Sequence, residues 1–299
     1  MIVQSIITPL RILAASTNQP FRLDISDPAP APADFNAIKA AQKAMWSSGD
    51  YARIGVTMQI TGEELAEAAN PRPGAQVLDV ASGSGNATLA FARRWCRVTS
   101  TDNIYAMLEA GRLRTRADRL EVNFQPADAE DLPFPDASFD LVVSTFGAMY
   151  APDQPKSASE LKRVCRTGGS IAMTNWTLNG FIGTLFDVLN QHSALPFGTE
   201  SPTRWGDQSW INQQFSPVAE SIEFRLKRFY FRYPSPIQFL EFFRTFYGPV
   251  KTAFEGLDDE GKTQLEKEVL STIDQFNMAM DGTMIVPSEY AQIVIRKAG

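Results

Sequence analysis

The segment Val77-Leu78-Asp79-Val80-Ala81-Ser82-Gly83-Ser84-Gly85-Asn86 carries the clearest chemistry in the sequence. An apolar, β-forming run ends in small residues, and a helical pattern opens at once. Glycine adopts positive φ at little cost and lets a ligand approach the backbone closely. A helix that starts there presents free N–H groups to an anionic or electron-rich ligand group. Asp102 follows at the end of the next apolar run, where a carboxylate can accept two hydrogen bonds from a ribose diol. Loop, strand context and spaced acid together point to a nucleoside-type cofactor. The dinucleotide pattern Gly-x-Gly-x-x-Gly is only partly met, because Thr88 stands where its third glycine belongs. A P-loop spelling runs from Gly256 to Gly261-Lys262-Thr263, but Asp258, Asp259 and Glu260 inside it would repel phosphate. No strand pattern precedes it, so the expectation there is an acidic helix start.

These residues need a sheet to hold them. Strand patterns at 76–81, 97–101, 120–125, 139–145 and 170–175 alternate with helical patterns at 86–95, from 102 to about 117, and at 157–166. Helices are also expected at 35–47 and 62–69. Such alternation means an α/β protein with a parallel sheet and right-handed crossovers. Its ligand belongs at the carboxyl ends of the strands, where strand order reverses. Further on, 221–233 reads as a long strand. Leu265, Val269, Ile273 and Phe276 recur at helical spacing, and 284–296 reads as a closing hairpin or strand pair. Residues 177–220 read as an insertion that caps the sheet over the substrate.

Composition narrows the field. The 299 residues are 44% hydrophobic, enough for a full core, so folding on disulfides or metal alone is excluded. A net charge of −6 argues against nucleic acid as a partner. Arg112, Arg114, Arg116 and Arg119 form a local basic group, read as a solvated helix face. Cys96 and Cys165 lack CxxC spacing, and one histidine, His192, excludes HExxH, so no metal site is expected and a reducing, cytoplasmic setting fits. The apolar run 1–16 has no basic residue before it, is interrupted by Pro9 and Arg11, and is too short to span a bilayer. With Pro20, Pro28, Pro30 and Pro32 following, residues 1–34 are expected to be a flexible leader and 35–299 the folded domain.

The whole pattern resembles the class I S-adenosylmethionine-dependent methyltransferases, from about residue 46 to 176 and more loosely to the C-terminus. The carriers are the loop from Asp79 to Gly85, Asp102 with Met107-Leu108, Asp128-Ala129-Glu130-Asp131-Leu132-Pro133-Phe134, Ser138-Phe139-Asp140-Leu141-Val142, and the stretch 161–169. The likeness is strongest to the small-molecule branch that includes the quinone-ring methyltransferases. Ala81 departs from the pattern, which usually has the loop's first glycine there. The resemblance implies a Rossmann-like, doubly wound, mostly parallel sheet of about seven strands, with N-terminal lid helices and a C-terminal cap. It also implies S-adenosyl-L-methionine as cofactor and a division of roles. Asp79 orders the loop, while Gly83 and Gly85 let the backbone pass the methionine part. Asp102 holds the ribose, Asn103 and Met107 flank the adenine, and Asp128 and the Ala129 N–H bind the ring. Ser144 and Thr145 face the sulfonium end. Trp46 to Tyr51 stands where relatives place a lid, from which Tyr51 would close over the sulfonium with an aromatic face.

Methyl transfer from a sulfonium is an in-line displacement, so alignment and desolvation do most of the work, on the order of 7–11 kcal/mol. No catalytic triad is needed, and none appears. His192 is the candidate general base for a phenol or enol acceptor, with Tyr105 and Tyr150 as weaker ones. Phe146-Gly147-Ala148-Met149-Tyr150 lacks the carboxylates a metal-assisted mechanism needs after the strand ending at Thr145. Phe181, Phe186, Trp205, Trp210 and Phe215 suggest a small, apolar or aromatic acceptor. A quinone or lipid acceptor would add membrane contact through Phe239, Phe242, Phe243, Phe246 and Tyr247, whose spacing fits a core helix equally well. The competing readings are a methyltransferase-like protein that binds the cofactor but catalyses a non-methylating reaction, an NAD(P)-dependent oxidoreductase, and a non-catalytic binding protein.

Overall fold

A computed structural model describes residues 33–299, apart from 194 and 197. Three helices open it: α1 (Phe35–Ser48), α2 (Tyr51–Gly55) and α3 (Gln59–Ala69). Strands and helices then alternate as β1 (Gln76–Val80), α4 (Asn86–Arg93), β2 (Arg97–Asp102), α5 (Tyr105–Ala117), β3 (Asn123–Pro126), β4 (Phe139–Thr145), α6 (Gln154–Val164) and β5 (Cys165–Trp176). The C-terminal part comprises α7 (Phe181–His192), α8 (Gln208–Phe215), β6 (Ala219–Tyr233), α9 (Pro236–Phe246), α10 (Gly248–Glu255), α11 (Asp259–Phe276) and β7 (Met284–Lys297).

The strands form one seven-stranded sheet in the order β3-β2-β1-β4-β5-β7-β6. All neighbours are parallel except at β7, which runs antiparallel to both β5 and β6. Strand order reverses between β1 and β4, and these two pair in register through Leu78 and Val142. Alternating residues of these central strands feed two apolar layers. Leu78, Val80 and Val142 pack on one face, and Val77, Leu141 and Val143 on the other. Burying each such side chain stabilises the fold by roughly 1.5–3 kcal/mol. This double burial explains why β4 reads as a near-continuous apolar run.

Several boundaries differ from the sequence reading. The strand expected at 120–125 begins only at Asn123, because Arg119 turns with φ 57° and Leu120 N–H closes onto Thr115 O (2.8 Å) to end α5. Residues 284–297 form one strand rather than a hairpin. Pro287 is accommodated because it lies beyond Tyr290, the residue opposite the last residue of β5, and so has only β6 beside it. Asp258 Oδ1 accepts Gly261 N–H (2.8 Å), so the false P-loop is a capped, acidic helix start. The leader expected over 1–34 lies outside the described residues up to 32. Asp34 Oδ1 accepts Ala37 N–H (3.1 Å) and caps α1. Among the described residues, no helix is long and apolar enough to cross a membrane. Phe239, Phe243 and Tyr247 are buried, with Phe242 and Phe246 half-buried against the same core, so this stripe packs inward.

Candidate active site

The turn after β1 is built from left-handed backbone. Ala81, Gly83 and Gly85 have φ of 51°, 55° and 87°. At Ala81 that conformation carries a steric cost glycine would not, which accounts for the glycine preference there. Gly147 makes the turn possible from the other side, since a Cβ on it would lie 2.1 Å from Ala81 O. Beneath the turn, Asp79 is buried, and Thr88 Oγ1 donates to its Oδ2 (2.6 Å), while Oδ1 has no partner. Burial pushes this carboxyl up to about 7, against the lowering effect of Thr88. Thr88, which spoils the dinucleotide pattern, is thus what fixes Asp79.

Asp102 ends β2 one strand over. Its Oδ2 accepts Gly83 N–H (2.9 Å) and its Oδ1 accepts Ile104 N–H (2.8 Å), which ties the acid to the glycine turn. Burial raises this carboxyl to about 6, with those backbone donors pulling the other way. Beside it, Asp128 Oδ1 accepts Glu130 N–H (2.9 Å), a closed turn that presents the Asp128 carboxylate and the Ala129 backbone. A cleft opens between these segments. It is lined by Ala81 and Gly83 from the first loop, Asp102, Asn103 and Met107 from the second, and Asp128 and Ala129 from the third. Tyr51, Trp46 and Tyr150 close it from the lid side.

Tyr51 also borders a smaller cavity, bounded by Gly83, Ser84, Asn86 and Thr145. Thr145 Oγ1 is buried there without a hydrogen-bond partner. An unsatisfied buried hydroxyl at one end and a paired carboxylate at the other suit a ligand with a polar amino-acid end and a nucleoside end. The residues present therefore fit S-adenosylmethionine.

Not every expected residue reaches the cleft. Ser144 turns inward, donating to Val80 O (2.8 Å) and accepting Ala148 N–H (2.8 Å), and so braces β4 against β1. Gly85 caps α4 and Asp79 lies below the turn, so both shape the loop from behind. His192 ends α7 and its Nε2 pairs with Glu268 Oε2 (2.6 Å) on α11. It does not line the cleft, and neither does any other described residue of 177–220. Phe181, Trp205 and Phe215 are fully buried core. The aromatic wall comes instead from Trp46, Tyr51, Phe146 and Tyr150. The Trp46 ring centroid lies 5.7 and 5.0 Å from those of Tyr51 and Tyr150, and 5.6 Å from that of Tyr247, which packs against the wall without lining the cleft. Burial raises all three phenols.

Two contributors escaped the sequence reading. Lys39 on α1 lines the cleft and pairs with Asp128. Arg114, expected on a solvated face, is instead half-buried and donates to Ser84 O (2.8 Å), Asn86 Oδ1 (2.9 Å) and Gln59 Oε1 (3.1 Å), clamping the glycine turn from behind. Arg116 and Arg119 are exposed, as expected of that face.

A doubly wound sheet with a carboxylate-lined cleft at its switch point defines a nucleoside-cofactor protein. Comparison with known proteins narrows the class. A methyltransferase-domain family model matches residues 78–173. An uncharacterized protein of Mycobacterium tuberculosis is 34% identical over 235 residues, covering 78% of this chain and 84% of the relative. A demethylmenaquinone methyltransferase of Clavibacter sepedonicus is 33% identical over 188 residues, 55% of this chain and 76% of that one. The crystal structure of the YcgJ protein from Bacillus subtilis shares the fold, with a TM-score of 0.56 and 20% identity over 80% of this chain and 99% of its own. The chain belongs to the class I S-adenosylmethionine-dependent methyltransferases, and S-adenosylmethionine is its cofactor.

Proposed function

We propose that this enzyme moves the methyl group to a small, apolar or aromatic acceptor bound under the lid, beside Trp46, Tyr51 and Tyr150. The observation that carries the reading is the convergence of three strand ends on one cleft, with Asp102 tied to the Gly83 N–H at its centre. The bound cofactor supplies an activated methyl on a sulfonium. Asp102 accepts the ribose hydroxyls, Asp128 and the Ala129 N–H read the adenine edge, and Asn103 and Met107 flank the ring. Gly83 lets the backbone lie against the methionine part, whose polar end meets Thr145 and, through the loop, Asp79. Tyr51, which lines both cavities, excludes water above the sulfonium, where an aromatic face favours positive charge.

The aromatic wall supports the acceptor class, as does the Clavibacter relative, a demethylmenaquinone methyltransferase. The two buried, unpaired cysteines fit a reducing cytoplasmic setting. Incubation of the protein with a metabolite extract and methyl-labelled cofactor, followed by mass spectrometry, tests the proposal. A labelled product of apolar or aromatic character is expected. Label confined to strongly polar or macromolecular products would overturn the acceptor class.

A further inference from the structure

The lid helix α1 is anchored very differently at its two ends. At the C-terminal end the backbone is locked. A Cβ on Gly49 would sit 2.3 Å from Phe246 O, and one on Gly248 would sit 2.4 Å from Met45 O. Asp50 N–H donates to Phe246 O (3.0 Å), and Lys251 Nζ to Ser48 O (2.6 Å). The one buried residue of the helix, Ile38, lies in its N-terminal half. The polar tie from there to the rest of the described fold is Lys39, whose Nζ lies 2.7 Å from Asp128 Oδ2 and 2.6 Å from Glu130 Oε2.

Glu130 gives that tie its strength. The residue is 1% exposed, and its other oxygen accepts Asp153 N–H (2.8 Å) at the start of α6. A carboxylate so deeply placed needs a counter-charge, and the lid lysine provides it. Asp128, by contrast, is half-buried and lines the cleft. One ammonium therefore joins a fixed structural acid to a ligand-facing acid across a sequence separation of 89 residues.

We infer that Lys39 is the latch of the lid: its ion pairs with Glu130 and Asp128 hold the N-terminal half of α1 across the nucleoside end of the cleft, and exchange of the cofactor requires that tie to open. Lys39 is a positioning residue, and its effect on the cofactor rests on the reading that Asp128 faces the adenine. With the latch closed, the Glu130 arm keeps the lid in place while the Asp128 arm is shared with the ligand. With it open, α1 pivots about its fixed C-terminal end.

The test uses the full chain with Lys39→Met and Lys39→Arg, and S-adenosylhomocysteine as probe. Breaking charged hydrogen bonds of this kind should speed hydrogen exchange of residues 35–44 by about ten-fold in Lys39→Met, with 59–69 unchanged and Lys39→Arg close to wild type. Stopped-flow dissociation of S-adenosylhomocysteine should quicken by a similar factor, and 1 M KCl should quicken it in wild type but not in Lys39→Met. Unchanged exchange at 35–44, faster exchange throughout the chain, or unchanged dissociation would each overturn the latch. If wild type binds no S-adenosylhomocysteine, the placement of the cofactor fails instead, and the exchange of the ligand-free protein still decides the latch.

Discussion

The nucleoside half of the cleft and its aromatic half are assembled on different principles. The first is local: Asp79 to Gly85, Asp102 and Asp128 each sit at or just past the end of a neighbouring parallel strand, and the strand order brings them together. The second is distant: Trp46 and Tyr51 come from the lid, Tyr150 follows β4, and Tyr247, which follows α9, packs against Trp46. The Tyr150 and Tyr247 hydroxyls meet at 3.1 Å across 97 residues of sequence. A cofactor common to many reactions can be held by a short pattern, whereas an acceptor wall depends on whichever elements the C-terminal half packs nearby.

The largest effect that sharpens this contrast concerns the supposed cap. Trp205 is fully buried, its ring tilted against that of Trp210 with centroids 4.6 Å apart, and neither ring lines the cleft. Trp205→Ala should cost about 3–5 kcal/mol of stability in a denaturant titration, while the folded fraction keeps its cofactor affinity. A selective loss of acceptor turnover in a fully stable variant would return these aromatics to the substrate site.

The nucleoside half should show itself through pH. The Asp79 and Asp102 carboxyls are raised, to about 7 and about 6, above the range they have in an unfolded chain. Their contribution to stability is therefore complete below about pH 4 and lost as pH rises through 6–7. Asp79→Asn should flatten that fall, by on the order of 1–3 kcal/mol between pH 4 and 8 in thermal or chemical unfolding. Ligand hydroxyls and an ammonium group favour the charged acids, so binding should release protons at pH 6.5. Calorimetry in buffers of differing ionisation heat reads this directly, and proton uptake would contradict it.

The smallest effect belongs to His192. Its pair with Glu268 lies between α7 and α11, and Glu268 is partly exposed. His192→Ala should leave turnover unchanged and cost less than about 1 kcal/mol of stability. A large loss of turnover would restore a base role that the geometry withholds.

What the sequence disclosed follows the same division. The glycine turn was legible because positive φ and a helix start leave a local mark, and Asp102 because it ends an apolar run. Arg114 was not legible: a basic residue on an amphipathic helix looks solvated until Ser84, Asn86 and Gln59 are seen against it. Lys39 carries no local signal either, since its partners lie on a loop folded back over α1. Aromatic density in 177–220 suggested a cap because apolar side chains look alike whether they line a pocket or fill a core.

The most direct measurement is a calorimetric titration of wild type and Asp102→Ala with S-adenosylhomocysteine. One-site binding to wild type, weakened in the variant by about 1.5–3 kcal/mol, is expected from a lost hydrogen bond to a charged group. Equal affinity in the two proteins would contradict the placement of the ribose on Asp102 and the site built around it.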